Sequence, residues 1–234
     1  MLALVAVVLA AVLITGGDDD PEATTTTSSS TSSTSTSTTA TTAPTTSTTL
    51  SGADLDHAVY PDLTSGTPFT DPAEMVTSFA TQVLGFDTDV VVGALQQGDA
   101  RSGEFAIHPK GSTAITTVPV RQISDGSWVV LGASTDSIRL DTPIAGSKIS
   151  SPQPLLGAAY AFEGTVDVTL YADGQQTAIA NTFVMGRGDG VLGRFDKPFP
   201  FTVPAGATRG VLVLSSANGE DGTTVAAIAI RVGY

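Results

Sequence analysis

Arg187-Gly188-Asp189, within "FVMGRGDGVLGRF", sets a guanidinium and a carboxylate on either side of one glycine, the tripeptide that integrin receptors read in animal matrix proteins. Alternate glycines at 186, 188 and 190 predict a hairpin reversal supported by positive φ angles, so the tripeptide is a candidate binding loop. The same glycines precede strand-like sequence, whereas a phosphate cradle needs a helix N-terminus. Two acid pairs, Asp87 with Asp89 and Glu220 with Asp221, have the residue types of a glycosidase pair. They stand in short turn-like segments where carboxylates face water. His57 and His108 are the only histidines and lie in no ligand-spaced cluster, and no Gly-x-Ser-x-Gly occurs, so neither a zinc site nor a serine nucleophile is supported. The loops "YADG" and "NGEDG" are rich in oxygen donors, but neither has the spacing of an EF-hand. The chain has no cysteine, which excludes thiolate metal sites, disulfides, cysteine nucleophiles and lipid attachment through a lipobox cysteine. The expectation is therefore no catalytic, metal or cofactor-binding residue, and one possible binding loop at Arg187, Gly188 and Asp189.

The elements that must position these residues begin with a helix. In "FTDPAEMVTSFATQVLGF", Asp71 is placed as N-cap, Pro72 at the first helical position and Glu74 three residues on. Val76, Phe79, Ala80 and Val83 then form one apolar face, and Gly85 closes the helix. Four β-rich runs follow, "DVVVGALQQ", "SGEFAIHP", "TAITTVPVRQI" and "SWVVLGAS", which predict a small α+β unit over residues 67–140 with Trp128 on the sheet face covering the helix. From residue 141 the texture is wholly β. "KISS", "PLLGAAY", "TVDVTLYA", "TAIANTFVM", "FPFTV", "GVLVLSS" and "TVAAIAIRV" are separated by turn signals and describe an immunoglobulin-like β-sandwich over 141–234. With no cysteine pair and no core tryptophan, Phe162, Phe183, Phe199 and Phe201 are expected to fill its interior.

Upstream, residues 1–16 form an apolar run without a preceding Lys or Arg and without a convincing cleavage site. It is read as a membrane anchor, with a cleaved secretory segment as the alternative, and as the trimmed start of a longer reading frame. Residues 17–66 are read as a disordered Ser/Thr-rich stalk and a polar lead-in with few buried anchors, in which His57 is a solvated surface residue. As a flexible coil the Ser/Thr tract reaches about 30 Å, and fully extended about 90 Å. Charge is uneven. All ten Lys and Arg lie at or after Arg101 while twelve of the twenty-three acids precede it, so the first hundred residues carry −12 of the net −13. That distribution excludes a nucleic-acid partner, which needs clustered basic residues.

"PIAGSKISSPQPLLGAAYAFEGTVDVTLYADG" and "SSANGEDGTTVAAIAIRV" resemble the immunoglobulin-like domain associated with bacterial spore germination. The resemblance runs through Ser151-Pro152, Leu156-Gly157-Ala158-Ala159, Phe162-Glu163-Gly164 and Asp221-Gly222, over residues 142–234. It implies an extracytoplasmic, noncatalytic module of a Gram-positive, often actinobacterial, envelope. The expected partners are the membrane, through the N-terminal segment, and a cell-wall polymer or envelope protein. Two alternatives are carried: an accessory or enzyme of wall modification with its site in the α+β unit, and adhesion through Arg-Gly-Asp.

Overall fold

The computed structural model describes residues 56–62, 67–175 and 177–234, all within one compact unit, Ser47–Tyr234. The expected anchor and Ser/Thr stalk lie outside the described residues. Helix α1 (Pro72–Gln82) starts where the sequence places it: the Asp71 carboxylate accepts from the Ala73 amide at 2.7 Å and the Glu74 amide at 3.3 Å. These bonds satisfy N–H groups that have no partner inside the helix. Met75, Val76, Phe79 and Ala80 are buried on its inner face. At the far end Gly85 adopts φ +78° and the Phe86 amide returns to the Ala80 carbonyl.

The strands are β1 (Val91–Val92), β2 (Gln96–Asp99), β3 (Ser102–His108), β4 (Thr116–Gln122), β5 (Trp128–Val130), β6 (Ser134–Thr135), β7 (Ile138–Thr142), β8 (Gln153–Ala159), β9 (Thr165–Ala172), β10 (Ala180–Met185), β11 (Gly193–Phe199), β12 (Arg209–Ala217) and β13 (Thr224–Gly233). They form two antiparallel sheets. The larger runs β1-β3-β4-β6-β7-β8-β11, with β2 beside β3 and β5 beside β4; the smaller runs β10-β9-β12-β13.

The architecture is thus one helix on antiparallel strands continuing into an immunoglobulin-like sandwich. The division expected between residues 140 and 141 falls inside β7, and the larger sheet passes through it. Two apolar cores share β12 and β13. Leu212, Leu214, Ile228 and Val232 point into the sandwich, against Leu155, Val168, Phe195 and Phe199. Val211, Val213, Ala227 and Ala229 point the other way, against Phe79, Phe105, Ile107, Val118 and Val130. Alternate side chains leave a strand on opposite faces, so a strand buried on both must be apolar at every position. "GVLVL" and "VAAIAI" meet that requirement.

Several local expectations are corrected. "KISS" is not a strand, although the Ile149 amide bonds to the Gly233 carbonyl and its side chain is buried. "FPFTV" is mostly coil; the strand precedes it, as β11. Phe195, Phe199 and Phe201 are buried in the sandwich, whereas Phe162 and Phe183 are 58% and 48% exposed because their turn and strand positions direct them outward. Trp128 is partly buried, packing on the helix-side core.

The lead-in is also anchored where few anchors were expected. Ala58 and Val59 are buried, and Tyr60 stacks near Phe69 and Phe79 with ring centroids 5.8 and 5.7 Å away. Arg231, only 2% exposed, donates from Nε to the Ala58 carbonyl at 2.6 Å and pairs with Asp173 through Nη1. A buried guanidinium needs such partners, because leaving it unpaired costs far more than exposing it.

Candidate binding site

Three of the turns of the sandwich, two of which carry the Phe162-Glu163-Gly164 and Asp221-Gly222 motifs, converge at one end, whereas Ser151-Pro152 lies at the opposite end of β8, where the Ser151 hydroxyl accepts from the Phe201 amide. The turn 160–164 follows β8, the connection 186–192 joins β10 to β11 across the two sheets, and the turn 218–223 joins β12 to β13. Backbone bonds tie the first two together: the Arg187 amide to the Ala159 carbonyl at 3.0 Å, the Ala161 amide to the Arg187 carbonyl at 2.9 Å, and the Gly186 amide to the Gly164 carbonyl at 2.7 Å. The third joins them through Phe162. Its ring lies so close to Gly219 that a Cβ there would fall 2.5 Å from the ring.

The glycines serve this assembly differently from expectation. The connection crosses between sheets instead of forming a hairpin, and of Gly186, Gly188 and Gly190 only Gly190 takes a positive φ, +78°. Gly186 is required by close approach, since a Cβ would sit 2.2 Å from the Ala159 carbonyl oxygen. At Gly193 a Cβ would meet Arg187 Cγ at 2.1 Å, so the arginine stem lies across that glycine. Glu163, at φ +53°, holds a left-handed conformation unusual for a residue with a Cβ.

Within the tripeptide, Arg187 and Asp189 pair with each other. Arg187 Nε donates to both carboxylate oxygens, at 3.0 and 3.1 Å, and Nη2 adds a third bond. The Val191 amide also donates to Asp189. Hydrogen bonding from Arg187 holds the Asp189 carboxyl below the usual carboxylate range, and the same bond raises the Arg187 guanidinium. A receptor reading the two charges separately has to open this pair first.

Behind the turn 218–223 lies a polar cleft of about 410 Å³ that brings together Asp87, Asp89 and Asp221, acids from both of the pairs singled out in sequence. Asp87 and Asp89 come from the segment after α1, Lys110 and Ser112 from the β3–β4 turn, and Asn218, Asp221 and Thr223 from the β12–β13 turn. Asp221 Oδ1 accepts from the Thr223 amide at 3.0 Å and its hydroxyl at 2.7 Å. The amide first, and then the hydroxyl, hold its carboxyl below the usual range. A general acid at neutral pH needs the opposite shift. Asp87 is similarly occupied with the Thr88 amide at 2.6 Å. Among the described residues no group of three or more His, Cys, Asp or Glu could hold a metal ion. The cleft offers hydroxyls, carboxylates and one ammonium, a surface suited to hydrogen bonding a polar ligand.

His57 is exposed and its ring lies against Gly146; His108, at the end of β3, bonds through Nδ1 with the Pro109 carbonyl at 2.9 Å. Asp173 of "YADG" is committed to Arg231 and Arg209. Sequence reasoning passed over Arg231 and this pairing; a lone arginine inside the apolar run "VAAIAIRV" was the signal.

Residues 137–223 match the family model described as the immunoglobulin-like domain of bacterial spore germination. The matched segment opens at β7 and closes just before β13. No curated protein and no solved structure matches the chain.

Proposed function

Taking residues 137–223 as an immunoglobulin-like domain of the spore-germination type, we propose that the chain is a noncatalytic binding module of a Gram-positive cell envelope, engaged in germination or sporulation. In this reading residues 1–16 anchor it to the membrane, the Ser/Thr tract spaces it outward, and the folded unit binds a wall polymer or an envelope protein. The observation that supports binding is the convergence of three turns at one end of the sandwich. Phe162 and Val191 are each 58% exposed there, and the Phe162 ring lies against Gly219, next to Asn218 of the polar cleft. Exposed aromatic residues beside hydrogen-bonding groups are typical of recognition surfaces.

Isolated walls and detergent-solubilised envelope proteins, incubated separately with residues 56–234, test this reading. Retention by one of the two, reduced about tenfold by Phe162→Ala, is the expected result. Retention by neither, or retention indifferent to Phe162→Ala and to Asp221→Ala, would sink it. Turnover of peptidoglycan fragments by the same protein would favour the wall-modifying alternative. Attachment of integrin-bearing cells that is abolished by Asp189→Glu would favour adhesion. Deleting residues 21–51 is expected to impair the cellular phenotype while the domain stays folded.

A further inference from the structure

We propose that the polar cleft and the exposed ring of Phe162 form one glycan site, which takes neutral or amine-bearing sugar units and refuses polymers that carry uronate or phosphate. The assignment rests on the reading of this end of the sandwich as a binding surface, and it chooses saccharide over polypeptide as the ligand. At about 410 Å³ the cleft falls within the range of small-ligand sites, about 300–1,000 Å³. Sugar hydroxyls both donate and accept, so a wall that recognises them offers donors and acceptors side by side. Asp89 and Lys110 do so: both are exposed and line the cleft, and among the described residues neither has an ion-pair or hydrogen-bond partner. Asn218 commits its Oδ1 to the Glu220 amide at 3.2 Å, which leaves its NH2 group as a donor. The Ser112 hydroxyl accepts from the Ala114 amide at 3.1 Å and keeps its own proton for a ligand.

The aromatic platform supplies the second half of the site. The C–H faces of sugar rings carry partial positive charge and pack on the negative face of an aromatic ring. Phe162 lies so close to Gly219 that a Cβ there would fall between 2.5 and 2.6 Å from three ring carbons, and 58% of the residue still faces solvent. Gly219 adjoins Asn218, so linked sugars can lay one ring on Phe162 and its neighbour in the cleft. A peptide would seek a free strand edge or a deep apolar pocket for an anchor side chain, and the cleft, walled mostly by turns, supplies neither. Charge narrows the class further. Three carboxylates, Asp87, Asp89 and Asp221, face one ammonium, Lys110, so the cleft repels acidic polymers and favours an amine. Asp87 and Asp221 already accept from Thr88 and Thr223, which leaves Asp89 as the carboxylate that takes the amine.

Titration calorimetry of the full chain, in a detergent that carries no sugar, tests the site with the tetramers of N-acetylglucosamine, glucosamine and galacturonic acid. The first is expected to bind with a Kd of about 1 mM or tighter, the second about fivefold tighter still, and the third not at all. Phe162→Ala is expected to weaken both bound tetramers about tenfold. Asp89→Asn is expected to erase the advantage of the amine. Asp167→Asn, which removes the same charge from an exposed position on β9, is expected to keep it. Binding of neither amino-sugar tetramer, equal binding of the galacturonate, indifference to Phe162→Ala, or an amine preference that survives Asp89→Asn would each overturn the glycan site. Retention by envelope proteins without saccharide binding would overturn it too and leave the binding module standing. Retention by neither walls nor envelope proteins, with no saccharide bound, removes both.

Discussion

At Gly157, in the middle of β8, an added Cβ would lie 2.2 Å from the Arg139 carbonyl oxygen and 2.4 Å from the Phe195 ring. Neither neighbour can retreat cheaply, because one is backbone and the other fills the sandwich core. Gly157→Ala is expected to destabilise the fold by about 1–3 kcal/mol, read as a lower urea midpoint with an unchanged slope. Tyr234 carries a second residue-level consequence. Burial raises its phenol to about 12, with Asp173 adding to the shift, and its hydroxyl donates to the Tyr171 carbonyl at 3.1 Å. An unfolded tyrosine ionises near pH 10, so the folded chain holds the proton more tightly. The stability this contributes is present in full below about pH 10 and is lost as pH rises toward about 12. Between those values the melting temperature of the wild type is expected to fall more steeply than that of Tyr234→Phe; parallel curves would refute the assignment. At this scale the sequence was legible for Asp71, whose capping role follows from spacing alone. It was illegible for Phe162 and Phe183, since composition says that an aromatic ring favours burial and not which way its backbone aims it.

Among the elements, α1 and β9 lie where capping and strict alternation place them, because both signals are local. β7 has no comparable signal: "IRLDT" is short and half polar, and its pairing with β8 comes from tertiary context. β12 and β13 are recognisable as strands, but their continuous apolar character also encodes burial on both faces. That double burial is measurable. Leu214→Ala, on the sandwich side, is expected to cost about 2–5 kcal/mol, and Val213→Ala, on the opposite face, about 2 kcal/mol. In a free-standing sandwich with that face in water, the second change would cost almost nothing, and chemical denaturation of the two variants decides the point. The open side of the smaller sheet is managed differently. Lys197 donates to the Phe183 carbonyl at 2.7 Å and lies 4.2 Å from that ring's centroid, placing a charge along the edge of β10. The candidate site was partly legible: its glycine-rich turns and its acids were visible, but only the fold brings Asp87, Asp89 and Asp221 to one cleft and closes Arg187 onto Asp189.

For the molecule as a whole, the two cores on either side of β12 and β13 predict joint melting. Residues 56–234 are expected to give a single calorimetric transition with agreeing calorimetric and van't Hoff enthalpies. Residues 137–234 alone would expose Val211, Val213, Ala227 and Ala229 and are expected to self-associate or bind a hydrophobic dye; a monomeric, cooperatively melting fragment would contradict this. The shared strands also bear on how such a domain can be inherited. The segment recognisable as family ends before β13, yet β13 completes the sandwich and floors the neighbouring core. A recombination event moving only the recognisable segment would carry away a sandwich without its last strand. One moving the whole sandwich would strip the helix of its floor. The portable genetic unit is therefore larger than the unit that sequence kinship reveals, and lineages that exchange this domain are expected to exchange the helix-bearing half with it.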